Sequence, residues 1–183
     1  MERKIIHLKK YSVWGFLFTS ALGTLLHFVY EWSGENPIVG LFAPVNESTW
    51  EHMKMLFFPA VLYLVYAAYH LPDRSSYPAA LMTGIFLGLI GIPVLYYTYS
   101  GVLGFHVTAV DIAIFYVSVL ITFFTGFRLS DRDNIRRFSL PLLILLCLLA
   151  FSFFLFTFSP PDLGIFQDPT AHTISETNER SMP

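Results

Sequence analysis

Side chains suited to metal binding and proton transfer are grouped at a few places in this apolar chain. His27, His52 and His106 lie near the ends of three separate apolar segments, and Asp111 follows shortly after the last of them. Three imidazoles with one further position form a typical ligand set for catalytic zinc. A bound metal ion lowers the pKa of its water to about 7, which creates a nucleophile at neutral pH. These residues therefore predict one divalent transition metal, zinc above all, and metal-dependent hydrolysis.

Carboxylates near these histidines are candidates for the remaining roles. Asp111 is predicted either to be a fourth ligand or to orient a ligating imidazole. Glu51 adjoins His52 and is the first candidate for the general base. Glu31 lies one helical turn from His27 and is the alternative base.

The stretch from Pro44 to Lys54 (Pro-Val-Asn-Glu-Ser-Thr-Trp-Glu-His-Met-Lys) marks the start of a helix. Ser48 followed by Glu51 predicts a capping box, in which each side chain binds the other residue's backbone N–H. A helix N-terminus favours anions, so a substrate carbonyl or phosphate is predicted to bind here. The predicted substrate-binding residues are Asn46, Glu47, Ser48, Trp50 and Lys54, together with Asp168 near the C-terminus.

A competing interpretation gives these residues ordinary roles at helix ends. Ser48 and Glu51 would only cap a helix, while the side chains of His52 and Lys54 would extend to the lipid headgroups. His27 lies more than one turn inside its apolar segment, as does Asp111. Ionisable groups at such positions are costly and usually face a partner inside the bundle. Those two residues favour a functional site.

Five apolar segments must position these side chains. The chain has 183 residues, of which 55% are hydrophobic and only 13% charged, too few to cover a soluble surface. Apolar runs of about 18 residues or more indicate transmembrane helices. We therefore predict an all-α bundle with spans at about residues 11–32, 49–70, 79–100, 105–127 and 138–158. One domain covers residues 1–169, and residues 170–183 form a flexible polar tail.

Glycines and prolines indicate how the spans pack. Pro59 and Pro93 interrupt the second and third spans. Three glycines on one side of the third span allow another helix to approach closely: Gly84, Gly88 and Gly91. The link at residues 101–104 is short, so the third and fourth spans are predicted to be antiparallel neighbours.

Basic residues predict the orientation in the membrane. They concentrate in the N-terminal segment, the loop with Arg74 and the loop between the last two spans. The positive-inside rule then places the N-terminus in the cytoplasm and the C-terminus outside, in the cell membrane. The three histidines would share the extracytoplasmic end with Asp168. There Leu163, Ile165 and Phe166 are predicted to anchor the C-terminal segment over the site.

Several of these segments resemble a known family. Glu31-Trp32-Ser33-Gly34, the stretch from Pro44 to Lys54, Phe57-Phe58-Pro59 and the ending from Pro160 to Pro169 carry the likeness. With its Pro-Val-Asn-Glu-Ser-x-Trp-Glu-His signature, the chain resembles an uncharacterised family of small multi-pass membrane proteins of bacteria and archaea, a domain of unknown function. The resemblance implies a prokaryotic membrane protein and implies no activity.

Three functions fit this pattern. The first is a metal-dependent hydrolase of a lipid or lipid-linked substrate. The second is a small-solute or proton-coupled transporter or binding subunit, with His27, Glu31 and Asp111 as a relay. The third is a non-catalytic assembly protein. The net charge of −2 gives no nucleic-acid footprint. The predicted partners are the lipid bilayer and a lipid-type or small-molecule ligand.

Overall fold

All regular structure in the described part of the chain is helical. The computed structural model describes residues 2–71 and 75–169, and no β-strand occurs within them. Its long helices are α1 (Glu2–Trp32), α3 (Thr49–His70), α4 (Tyr77–Leu103), α5 (Thr108–Leu129) and α6 (Ser139–Phe158). A short helix, α2 (Pro37–Gly40), and two 3-10 helices, Asp133–Phe138 and Gly164–Phe166, complete the set.

Each of the five long helices is long and apolar enough to cross a membrane, so the chain is a multi-pass membrane protein. The predicted all-α, five-span class is confirmed. The tail predicted at residues 170–183 lies outside the described residues.

The predicted spans agree with the helices in their interiors and differ at several ends. α3 has the predicted bounds, whereas α1 begins at Glu2 instead of near residue 11. Lysine and arginine favour helix, so the basic N-terminal segment extends α1. α4 continues to Leu103 and ends at Gly104, whose φ of 78° is left-handed. Glycine adopts this conformation without strain and commonly follows the last helical residue.

The glycine face of α4 packs closely against α5, as predicted. A Cβ atom at Gly84 would lie 2.1 Å from the carbonyl oxygen of Thr122, and one at Gly88 would lie 2.1 Å from its Oγ1. Only glycine permits this backbone separation, which replaces lipid contacts by dense helix–helix contacts. α4 and α5 therefore form the tightest pair of the bundle.

Gly23 allows α1 to approach α3 closely. Pro59 lacks an N–H group, so the carbonyl of Met55 one turn earlier has no helical hydrogen bond. Gly23 lies against this carbonyl, because a Cβ atom there would come within 2.4 Å of it. His27 follows Gly23 by one helical turn and is thereby held over the first turns of α3.

The ends of α1, α4 and α6 and the starts of α3 and α5 meet at one end of the bundle, called here the site end. Near it, the ring of Phe153 in α6 packs 4.7 Å from Trp50 and 5.1 Å from Phe57 between centroids. At the opposite end, the hydroxyl of Tyr63 donates a 2.6 Å hydrogen bond to the carbonyl of Tyr11. The two termini of the five-helix bundle therefore lie at opposite ends.

The C-terminal segment after α6 folds back over the site end. The ring of Phe166 lies 4.9 Å from Trp50 and 5.5 Å from Phe156, and Ile165 packs against the core. Leu163 is 59% exposed and is not the anchor that the sequence predicts. The segment is held by two of the three expected apolar side chains.

Candidate functional site

Two histidines and one glutamate come together at the site end. One ligand atom from each of His27, Glu47 and His52 lies within 4.8 Å of the other two. We call these residues the His-Glu-His cluster. His27 belongs to the last part of α1, Glu47 to the loop before α3 and His52 to the first turn of α3. The approach of α1 at Gly23 thus sets the distance between the two imidazoles, whose centroids are 5.4 Å apart.

Hydrogen bonds orient the cluster. Nδ1 of His52 lies 3.0 Å from the carbonyl oxygen of Ser48, and its Nε2 faces Oε2 of Glu47 at 3.4 Å. Metal-binding histidines typically donate one ring N–H to a carbonyl and bind the metal through the other nitrogen. Nδ1 of His27 is buried without a hydrogen-bond partner among the described residues. His27 therefore contributes to the cluster an imidazole with an unpaired nitrogen.

The carboxylate of Glu47 stays ionised at neutral pH. Its hydrogen bond with His52 holds the pKa of Glu47 below the usual range, and the charges of His52 and His27 act in the same direction. Partial burial and Asp168 oppose this shift. Because the folded-state pKa is lowered, this carboxylate stabilises the fold above its unfolded pKa, and the contribution is lost as the pH falls through the folded value.

The segment after α6 also holds Glu47 in place. The backbone N–H of Glu47 donates a 3.3 Å hydrogen bond to Oδ2 of Asp168. The sequence predicts Asp168 as a substrate-binding residue at the same end as the three histidines, and its carboxylate binds the backbone of Glu47, whose side chain faces His52. Asp168 therefore supports the cluster by binding the backbone of Glu47.

The donor set fits zinc. Two imidazoles and one carboxylate, with a fourth position left to water, form a common catalytic zinc site. Ligand atoms around one tetrahedral zinc lie about 3.3 Å apart, as bond lengths of roughly 2.0–2.1 Å require. The separations in the cluster reach at most 4.8 Å, so small side-chain rotations would close it around an ion.

The cluster lies at the polar end of a cavity of about 380 Å³. This volume falls within the range of small-molecule sites, about 300–1,000 Å³. Its polar walls include His27, Glu47, His52, Tyr96, His106 and Asp111, together with the hydroxyl-bearing residues Thr24, Thr49, Thr108 and Tyr116. Its apolar walls include Met55, Ile92, Ile112, Ile114 and Phe115, and Pro169 of the C-terminal segment completes it. The cavity thus has an amphipathic interior.

His106 and Asp111 line the same cavity and form a second polar group with Tyr99, which lies behind Asp111. Nδ1 of His106 lies 3.3 Å from Oδ2 of Asp111, and the hydroxyl of Tyr99 donates to the other carboxylate oxygen. The Tyr99 oxygen in turn accepts a 3.0 Å hydrogen bond from the N–H of Val107. Asp111 is therefore fixed from one side and orients the imidazole of His106 from the other.

The predicted three-histidine metal site is thus divided in the structure. His27 and His52 come together with Glu47, whereas His106 and Asp111 are not part of that group. The reason is local, because α5 begins at Thr108 and leaves His106 in the preceding link. In that link, Nδ1 of His106 is already paired with the carboxylate of Asp111.

Glu51, the predicted general base, forms a buried ion pair instead of facing the cavity. Its Oε2 lies 2.6 Å from Nζ of Lys54, and it also accepts a 3.0 Å hydrogen bond from the N–H of Val45. Nζ of Lys54 donates further to the carbonyl of Gly40 at 2.9 Å and to Oγ1 of Thr157 at 2.7 Å. All three protons of the ammonium group are used.

The ion pair changes two expectations at the start of α3. Ser48 caps the helix by accepting the N–H of Glu51 at 3.3 Å, but the N–H of Ser48 binds Oδ1 of Asn46. Only half of the predicted capping box is therefore present. The idea that Lys54 extends to the headgroups is wrong, since its side chain is fully buried.

Other predicted site residues lie away from the cavity. Glu31 is exposed near the end of α1, and Trp50 packs against the aromatic side chains of α6. None of Asn46, Ser48 and Lys54 is a wall residue.

The sequence prediction missed Glu47 as a candidate metal ligand and Tyr99 as a partner of Asp111. The sequence does contain a signal that Glu47 and His52 lie close together, because they stand on either side of the start of α3.

Comparison with known proteins identifies a family and no activity. The model of a family of unknown function, DUF6512, matches residues 1–174. The chain has no match among curated proteins and none among solved structures.

Proposed function

The chain belongs to the DUF6512 family, whose function is unknown, and we propose that it is a metal-dependent hydrolase of a lipid-type substrate in the cell membrane. The observation that supports this function is the His-Glu-His cluster in the wall of a cavity that also has apolar walls on α3, α4 and α5. Metal ligands beside an apolar chamber suit a molecule with one polar reacting group and a hydrocarbon body.

The residues divide into metal ligands and a proton-transfer pair. His27, Glu47 and His52 would bind zinc and leave a fourth position for water, whose pKa the metal lowers. His106 would take up the proton of that water, with Asp111 holding its imidazole in place. This assignment gives the base role to His106, because the carboxylate of Glu51 is already held by Lys54.

Transport receives less support from the same structure. A proton or cation relay needs ionisable steps between the two ends of the bundle. The middle of α3 (residues 55–69) and of α5 (residues 112–127) contains no Asp, Glu, Lys, Arg or His, and all of α4 lacks them. The helix interiors therefore provide no Asp, Glu, Lys, Arg or His that could relay a proton or cation between the two ends of the bundle.

Metal binding gives the first test. Protein purified in detergent, loaded with zinc and dialysed should retain about one zinc per chain, counted by mass spectrometry. We expect His27→Ala, His52→Ala and Glu47→Gln each to weaken zinc binding by more than the roughly 10–100-fold that follows loss of a ligand's hydrogen-bond partner. Glu31→Gln and His70→Ala serve as controls, since Glu31 is outside the cluster and His70 lies at the opposite end of the bundle. Wild-type protein that retains no zinc would exclude the metal site.

We further propose that the site end faces the outside of the cell, on the basis of the basic residues in the loop between α5 and α6. In a protein whose Cys147 is replaced by serine, a cysteine at Glu35 should react with an impermeant maleimide on intact cells. A cysteine at Arg132 should react only after the cells are opened. Reaction of both on intact cells would contradict the five-span orientation.

A further inference from the structure

Among the apolar and aromatic side chains that line the cavity, three are also exposed. Phe28 is 42% exposed, Ile112 54% and Tyr116 38%, and all three line the cavity. Phe28 belongs to α1 and the other two to α5. A side chain that borders the cavity and the outer surface together marks an opening. We call the gap bordered by Thr24, Phe28, Ile112 and Tyr116 the α1–α5 opening.

The α1–α5 opening lies at the depth of lipid acyl chains. At a rise of about 1.5 Å per residue, Thr24 and Tyr116 lie about 12 Å from the helix ends at Trp32 and Thr108. The hydrocarbon layer of a bilayer is about 30 Å thick, so a point at this depth on two spanning helices faces hydrocarbon. A molecule entering there comes from the bilayer and not from water.

The interior changes from polar to apolar along its length. The His-Glu-His cluster occupies the site end, whereas Met55, Ile114 and Phe115 line the part next to the opening. A lipid has the same order, with a polar headgroup at the surface and a hydrocarbon chain below. In a lipid placed in the cavity, the headgroup would contact the imidazoles while its chain remained in apolar surroundings.

The two helices are joined at the opening by side chains that can rotate. Oγ1 of Thr24 lies 3.1 Å from the hydroxyl of Tyr116. The hydroxyl of Thr24 has an alternative partner, since it also donates to the carbonyl of Ser20 at 2.8 Å. Exposed side chains change rotamer within nanoseconds, so this contact does not close the cavity permanently.

We propose that the substrate is a membrane lipid that enters sideways, with an acyl chain passing between α1 and α5 and its headgroup at the His-Glu-His cluster. This inference rests on the proposed function for the role of the cluster. It adds the route by which the lipid enters and the position of its acyl chain. The buried walls Met55 and Ile114 are then contacted by an acyl chain, although each is less than a tenth exposed.

Photolabelling from the bilayer tests the inference. The full chain is reconstituted in phosphatidylcholine nanodiscs that contain a trace of phosphatidylcholine with a diazirine midway along one acyl chain. After irradiation, mass spectrometry maps the labelled residues. We expect adducts on Met55 and Ile114 well above those on Val119, which is equally apolar, fully buried and not a wall of the cavity.

A matched pair of variants identifies the route. Ile112→Trp narrows the opening and should lower the labelling of Met55 and Ile114 several-fold, while the labelling of exposed Leu25 stays unchanged. Ala113→Trp places the same side chain at a neighbouring exposed position outside the cavity and should leave all labelling as in the wild type. Labelling of Met55 and Ile114 at the level of Val119 would overturn the inference. So would labelling by a water-soluble short-chain diazirine ester without labelling by the bilayer probe.

Zinc retention measured on the same samples separates the two proposals. Protein that retains zinc but shows no cavity labelling removes lateral lipid entry alone. Protein that is labelled in the cavity but retains no zinc supports lipid entry and removes the metal-dependent hydrolase.

Discussion

Lys54→Met should lower the free energy of unfolding by about 3–5 kcal/mol, the usual cost of leaving one partner of a buried ion pair alone. The ammonium group is completely buried and donates to Glu51, Gly40 and Thr157. Its removal leaves the carboxylate of Glu51 in the interior without a counter-charge. It also leaves the carbonyl of Gly40 without its ammonium donor. Reversible unfolding in mixed micelles would measure the change.

The double variant Glu51→Gln/Lys54→Met provides the control. Both charges are then absent, and replacing a whole buried ion pair by neutral groups is often close to neutral in stability. We therefore expect the double variant to recover much of what the single variant loses. Equal losses in the two proteins would show that the volume and hydrogen bonds of Lys54 matter and its charge does not.

His106→Ala should reduce hydrolysis by about 10²–10⁴-fold, the range for loss of a general base. Zinc should remain bound, because His106 is not part of the His-Glu-His cluster. Asp111→Asn should reduce the rate in the same direction, since the amide no longer attracts a protonated imidazole. The measurement uses nanodiscs that contain a phospholipid with a fluorogenic acyl ester, with the zinc content determined in parallel.

Glu51→Gln separates this assignment from the base predicted by sequence. If His106 is the base, Glu51→Gln lowers stability through the loss of the ion pair, and the folded fraction keeps its rate. A folded, zinc-loaded Glu51→Gln protein that has lost activity, together with a fully active His106→Ala protein, would return the base role to Glu51.

The spans could be predicted because each depends on local composition. α3 was predicted to its last residue, since Ser48 gives a clear start signal and the apolar run ends at His70. The contact of the α4 glycines with α5 was likewise visible as a spacing. The start of α1 could not be predicted from hydropathy, because hydropathy marks the part of a helix inside the membrane and not its basic extension.

The site could be predicted only in part, because its contacts cross the bundle. Topology alone groups His27 and His52 with His106, and only the first two of these belong to the cluster. The partners of Lys54 were not, since Thr157 lies 103 residues further along the chain and has no unusual neighbours in sequence. The sequence places Glu47 among the substrate-binding residues. Its position beside His27 could not be predicted, because it depends on how closely α1 approaches α3.

The distance in sequence between Lys54 and Thr157 has a consequence for biosynthesis. α3 is made long before α6, so the nascent α3 carries an ammonium group for which one hydrogen-bond acceptor does not yet exist. A charge inside the membrane without its full set of partners is costly, and such a helix is held weakly in the bilayer. Arrival of the last helix completes the set and fixes α3. We therefore expect a chain that ends before α6 to hold α3 less firmly in the bilayer than the full chain does.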